Sequence, residues 1–284
     1  MKNYKYYIIN LSIILLTLLL LCKIVWNSMV QQVSVQRFLV LLPVVFLCIF
    51  LAYAFKGIRL YIIMLEYRIS IITFIKIYLK TTLVNIALPF KLGEVFRIYC
   101  YGIELSNYKL SIFLVLIDRY FDTIPLLFLL IVFTIIGKVE VTILLALMIC
   151  FLLVITFVYL IFPSSYQYLN RYLIMNTHTQ RGIQALSSMK KLKSWYSNIQ
   201  SLIKKRTLLI LLISVFTWLL EYGALTILAI SIQEIFTGND FIEYINAVFY
   251  GYHTKYTNLY TSLGAILLMF GFIIVYGIVY RRKK

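Results

Sequence analysis

Charged side chains are scarce in this chain. They make up 13% of its 284 residues, about half the share of an ordinary soluble domain. The apolar residues, 63% of the chain, come in unbroken runs. That composition excludes a soluble enzyme, a disordered chain and a secreted disulfide scaffold. Cysteine and histidine are scarcer still. Cys22, Cys48 and Cys150 lie inside apolar runs and Cys100 stands alone near a polar segment. None has the spacing of a metal site, and buried cysteine acts as a small hydrophobe. His178 and His253 are too far apart to form a motif. Zinc and redox chemistry are therefore not expected, nor is any cofactor. Acidic residues number 10 against 27 basic ones, for a net charge of +17. In a soluble protein that balance would suggest nucleic acid. Among apolar runs it reads instead as basic loops beside anionic headgroups, and no nucleic-acid partner is expected.

Runs of about 18 or more apolar residues mark transmembrane helices. The sequence predicts six clear spans: Tyr7–Trp26, Phe38–Phe55, Leu110–Gly137, Val141–Phe162, Thr207–Ile232 and Leu259–Tyr280. The first is too long for a signal core and has no small-x-small cleavage site after it, so it reads as a retained helix. The segment Pro163–Arg206 holds Arg171, Arg181, Lys190, Lys191, Lys193, Lys204, Lys205 and Arg206, and no Asp or Glu. The positive-inside rule makes it a cytoplasmic loop. The opposite connections carry only Arg37, Lys138 and Lys255. The expected fold is an all-α polytopic bundle forming one integral domain over 1–284, in the cytoplasmic membrane, with both termini inside.

The stretch Ile69–Lys109 fits no simple span. It is apolar, yet it carries Lys76, Lys80, Asn85, Pro89, Lys91, Gly93, Glu94 and Arg97. Charges at bilayer depth cost at least a few kcal/mol each unless paired or hydrated. Irregular backbone survives there only inside protein or a wet cavity. A re-entrant helix pair broken at Leu88–Pro89 meets both conditions; two short charged spans are the other option. Proline suits the first turn of a new helix. In that helix Lys91, Glu94 and Arg97 line one side, with a cation above and below the carboxylate. Free amides at its start favour an anion. The pattern reads as a phosphate or headgroup site, or as an ion-paired helix that only caps the bundle.

Two further polar sets lie in apolar spans. In IDRYFDT, Asp118 and Asp122 share a helix face and Arg119 is rotated from them. Paired carboxylates can serve acid–base or magnesium–diphosphate chemistry. Without a partner motif, they are expected to neutralise Lys91, Arg97 or Lys80. In TWLLEY, Trp218 and Glu221 stand about halfway along a span. An acid at that depth is a functional-site candidate, or the structural partner of a cation from the re-entrant pair.

These three sets, in this order, resemble the lysylphosphatidylglycerol synthase transmembrane, or flippase-like, family. Its pattern is an N, then P-x-R-x-G-E-x-x-R, then E-R-x-x-D, then W-x-x-E. The matching residues are Asn85, Pro89, Gly93, Glu94 and Arg97, then Arg119 and Asp122, then Trp218 and Glu221. Lys91 stands where arginine is usual and Asp118 where glutamate is usual. The likeness runs from Ile71 to Leu225. Downstream, the family's P-G-G-x-G-x-x-E element has as counterpart only TGNDFIEYINAVFYGYHTKYTN, without proline. The resemblance implies a protein that binds and translocates a lipid or lipid-linked saccharide in envelope biosynthesis. Membrane lipids and envelope-biosynthesis proteins would be its partners. Lys91 and Arg97 would hold phosphate, Glu94 and Asp122 would organise the cations, and Glu221 would line the opposite wall. A non-transporting scaffold of a polysaccharide assembly complex is the first alternative. A membrane-embedded glycosyl or polyprenyl-phosphate transferase is the second. Against it, the outer connections offer only the scattered Glu140, Glu234, Asp240 and Glu243. No catalytic motif is present, so lysine transfer to lipid is not expected.

Overall fold

The computed structural model describes residues 35–88, 92–137, 143–176, 180–203, 206–252 and 254–281. Among them are nine α-helices, one short 3-10 turn and no strand. The helices are α1 (Val35–Met64), α2 (Ile71–Ala87), α3 (Leu92–Glu104), α4 (Tyr108–Gly137), α5 (Ile143–Asn176), α6 (Gln180–Ile203), α7 (Thr207–Ser231), α8 (Gly238–Tyr250) and α9 (Lys255–Arg281). Five helices are long and apolar enough to cross a membrane: Val40–Tyr67, Tyr108–Ile136, Ile143–Met175, Thr207–Ser231 and Lys255–Tyr276. They coincide with five of the expected spans, and the chain is a multi-pass integral membrane protein. The other expected span, Tyr7–Trp26, lies outside the described residues, as do Cys22, Pro89, Lys91, His178 and His253.

Two boundaries differ from the sequence reading. The span expected to end at Phe55 continues to Met64 and carries Lys56 and Arg59 into the bundle. The helix continues because both cations find carboxylates on neighbouring helices. The segment read as a basic loop is mostly helical: α5 runs on through Pro163, and α6 follows it. Trp195 of α6 packs against Phe113, Tyr196 stacks on Phe162, and Leu202 is fully buried. Its Lys190, Lys191 and Lys193 are exposed. Charge pattern identified this stretch correctly as basic surface but says little about its backbone.

α1 and α7 run antiparallel. Lys56 meets Glu221, Arg59 meets Ser214, and Arg206 donates to the Ile62 carbonyl. α2, α3 and α4 fold back on one another in sequence. Ser70 caps α2 by accepting from the Thr73 amide, which satisfies one orphan donor of the first turn. Its C-cap, Leu88, is extended at φ −97° and ψ 132°, the conformation that a following proline imposes. α3 returns alongside, with Phe74 stacked on Tyr101 and Thr82 facing Arg97. At 17 and 13 residues, the two helices are ~26 and ~20 Å long, short of a ~30 Å apolar slab. They form a broken antiparallel pair.

α8 is another short helix, opened by a reciprocal Thr237–Asp240 capping box and closed by Gly251 at φ 75°. It buries Phe241, Tyr244 and Ile245. The apolar core has two parts. One gathers Ile49, Tyr53, Leu126, Leu225, Phe241 and Leu268; the other gathers Leu60, Ile63, Phe74, Tyr101, Leu114 and Ile210. α1, α4 and α7 contribute to both, and Lys56, Arg59, Asp122 and Ser214 lie where these helices pass from one part to the other.

Candidate functional site

Eight charged side chains meet between the two apolar parts. Lys56 and Arg59 come from α1, Glu94 and Arg97 from α3, Asp118, Arg119 and Asp122 from α4, and Glu221 from α7. Arg59 is the centre. It is 1% exposed, its Nε donates to Asp118 at 2.8 Å, and its Nη1 donates to Asp122 at 2.6 Å and to Ser214 at 3.0 Å. Two carboxylates and a hydroxyl thus take the guanidinium fork, the arrangement that compensates a buried arginine.

Arg97 approaches the same Asp118 from the other side at 3.8 Å. Its Nε and Nη2 point at the Thr81 and Thr82 hydroxyls, at 3.4 and 3.3 Å. Arg119 sits among three carboxylates: Glu94 at 3.0 Å, Asp122 at 3.4 Å and Asp118 at 3.6 Å. The shortest of these contacts is an ion pair without a hydrogen bond. Arg119 Nε and Glu94 Oε1 are both buried and neither has a hydrogen-bond partner among the described residues. The N–H is not aimed at the oxygen beside it, so this close pair is held by charge without a hydrogen bond.

Lys56 and Glu221 form the last pair at 2.6 Å, and Tyr244 of α8 donates to the other Glu221 oxygen at 2.8 Å. Trp218 Nε1 donates to the Asp122 carbonyl at 3.0 Å, tying α7 to α4. The carboxylates of Asp118, Asp122 and Glu221 are buried. The Lys56, Glu94 and Arg119 side chains are 24%, 18% and 24% exposed, so these three form the open edge of the layer. Four cations face four carboxylates. An anion that enters must therefore take a cation from a protein carboxylate rather than meet a free one.

The glycine of the first motif has a packing reason. A Cβ on Gly93 would lie 2.2 Å from Asn85 Cα and 2.5 Å from its backbone nitrogen. The motif's Asn85 and Gly93 are thus the contact at which α2 and α3 touch. The Asn85 Oδ1 is buried without a partner among the described residues.

The structure brings Asn85, Gly93, Glu94, Arg97, Asp118, Arg119, Asp122, Trp218 and Glu221 into one region, with three corrections to the expected pairings. Glu94 is paired by Arg119, not bracketed by Arg97, which turns instead to Asp118 and the two threonines. Asp118 does meet Arg97, as expected, but Asp118 and Asp122 lie closer to Arg59, which was not foreseen, and Lys80 lies over the Phe96 ring at 5.0 Å. Glu221 receives its cation from α1 and not from the broken pair. Sequence reading missed Lys56, Arg59, Ser214, Thr81, Thr82 and Tyr244. A usable signal for the first two existed: Lys56 and Arg59 are one turn apart, in an apolar run with no proline between Pro43 and Met64. Among the described residues, no group of three or more His, Cys, Asp or Glu is placed to hold a metal ion.

The arrangement can be compared with known proteins. The family described as Lysylphosphatidylglycerol synthase TM region matches residues 7–234. The chain belongs to this family. The match reaches well beyond the motif-bearing stretch and takes in all eight charges of the layer. α8 and α9 lie past its end, so Tyr244, which closes the layer on that side, is outside the matched region. Comparison with curated proteins and with solved structures gives no match.

Proposed function

We propose that this protein binds and translocates an anionic phospholipid or lipid-linked saccharide, in assembly of the cell envelope. One observation carries the reading: a charged layer lies between two apolar parts, and its Glu94–Arg119 ion pair, close but without a hydrogen bond, belongs to the partly exposed edge. Ionisable groups held among apolar helices mark substrate paths. Arg119 is suited to release Glu94 and grip a phosphate, because a guanidinium fork binds two oxygens at once. It does so beside the first turn of α3, whose unpaired amides favour an anion. The broken pair α2–α3 is re-entrant in this reading and brings that turn to the layer.

The test is transport of acyl-labelled phosphatidylglycerol across reconstituted vesicles, with lipid retained after purification measured alongside. Wild type moves the lipid. In Glu94→Gln, Arg119 keeps Asp118 and Asp122, so melting changes little. With no Glu94 carboxylate competing for it, Arg119 holds the phosphate about tenfold or more tighter, since a contact to a charged group is worth ~1.5–3 kcal/mol, so retained lipid rises and its release, and with it transport, slows. A wild-type protein that neither moves nor retains lipid would reject the reading. Retention without movement would support a scaffold, the second reading, which is favoured by the fact that every charge of the layer already has a partner.

We also propose that the protein lies in the cytoplasmic membrane with α6 and both termini on the cytoplasmic side. The uninterrupted basic charge of residues 163–206 supports this. A cysteine placed at the exposed Ser187 then reacts with impermeant maleimide only in opened cells; labelling in intact cells would reverse the orientation.

A further inference from the structure

The Lys56 ammonium occupies a cage. Its Nζ lies 5.6 Å from the Tyr53 ring centre and 5.6 Å from that of Trp218, and 2.6 Å from a Glu221 oxygen. Tyr244 fixes the other oxygen of Glu221. Tyr260 crosses the Tyr244 ring edge-on at 5.8 Å, and its hydroxyl, on a side chain 2% exposed, has no partner among the described residues. Aromatic faces around a carboxylate are what recognise an ammonium ion, through the ring quadrupole and a charge-assisted hydrogen bond. A lysine that only needed a counter-ion would not require two rings. The cage belongs to Tyr53, Trp218, Glu221 and Tyr244, from three helices, and Lys56 enters it on a flexible stem that is partly open to the outside of the bundle.

We propose that Tyr53, Trp218, Glu221 and Tyr244 form a primary-ammonium site that the chain fills with its own Lys56, and that this occupation bars amine-bearing headgroups from the polar layer. The first half stands on the cage geometry alone. The second rests on the translocation reading above. An occupied cage denies an incoming ammonium the aromatic-walled Glu221 carboxylate, while an anionic or uncharged headgroup loses nothing by it. Lys56 is then a specificity residue that acts by exclusion, which is how a site discriminates against a ligand it could otherwise hold.

Lys56→Ala removes the equivalent of propylamine and empties the cage. The purified variant is melted in propylammonium chloride and in sodium chloride of equal ionic strength. The melting temperature of the variant falls below wild type and rises with propylammonium, as mass action requires of a ligand bound by the folded state. Sodium chloride does not restore it, and Lys56→Ala/Glu221→Gln does not respond to the amine. If Lys56→Ala can be recovered folded only when propylammonium is present during extraction, the site is supported equally. Equal melting in both salts would overturn it, as would failure to recover the variant in either salt while the double variant folds. The selectivity half is read in vesicles with acyl-labelled phosphatidylethanolamine and phosphatidylglycerol. Wild type favours phosphatidylglycerol, and Lys56→Ala narrows the ratio several-fold. An unchanged ratio removes the exclusion role and leaves the ammonium site standing. If wild type moves neither lipid, the translocation reading fails while the melting result still decides the cage.

Discussion

Arg59→Ala is expected to abolish accumulation of folded protein. The substitution leaves Asp118 and Asp122 buried, one helical turn apart, without the cation that both contact at under 3 Å. Their remaining partners, Arg97 and Arg119, stand at 3.4 to 3.8 Å. Breaking a buried ion pair by removing one member costs on the order of 3–5 kcal/mol, a large part of a typical 5–15 kcal/mol stability. Arg59→Lys is expected to rescue little, because one ammonium cannot replace a fork that reaches Asp118, Asp122 and Ser214 together. Neutralising Arg59 and both carboxylates together with Arg97, whose own acid is Asp118, as Arg59→Leu/Asp118→Asn/Asp122→Asn/Arg97→Gln, is expected to recover folded protein, since the penalty comes from the orphaned charges. Detergent melting followed by size-exclusion chromatography measures all three. A single Arg59→Ala variant that melts like wild type would show that the carboxylates do not depend on it.

Gly93→Ala is expected to separate α2 from α3. The added methyl would lie 2.2 Å from Asn85 Cα, well inside contact distance, and backbone cannot swing aside as a side-chain end can. Overpacking in a tight core costs ~1–3 kcal/mol and occasionally more, and here the clash is with main chain, which places the cost at or above the top of that range. Asn85→Ala added to it does not help, because the atoms struck are the Asn85 Cα and nitrogen. Gly223→Ala is the matched control: nothing lies within 4 Å of its added Cβ, and alanine is the better helix former by ~1 kcal/mol. The pair is compared by limited proteolysis of the α2–α3 connection and by melting. Equal protease resistance in the two variants would show that the Asn85–Gly93 contact is not what holds α3 in place.

The sequence was informative where one helix suffices to make the argument. Apolar runs placed α1, α4, α5, α7 and α9, because a helix that meets apolar neighbours on every side must be apolar all round. The break after Leu88 followed from proline alone. Asp118, Asp122 and Glu221 stood out as acids in apolar company, and all three prove buried. Partnership was not legible. Arg59 lies 59 residues from Asp118 and 155 from Ser214, and no local periodicity encodes which helices will adjoin. The tendency to pair charges within reach along the chain linked Glu94 to Lys91 and Arg97, whereas antiparallel packing of α3 on α4 puts Arg119 there. Tyr244 was hidden for the opposite reason. One among 24 tyrosines, it bears no local mark that sets it apart from the interfacial aromatics that membrane proteins carry in abundance.

The even count of charges in the layer has an electrical consequence. Moving one elementary charge through 100 mV takes ~2.3 kcal/mol, so a shift of helices bearing unmatched arginines would be driven or opposed by the membrane field. Here four positive and four negative groups balance. As a body they are a cluster of dipoles with no monopole, and a uniform field does almost no work in displacing them. Moved as a body, the layer would contribute almost no gating charge. Whatever voltage dependence a flux through this layer displays belongs to its passenger, and its steepness counts the passenger's charge.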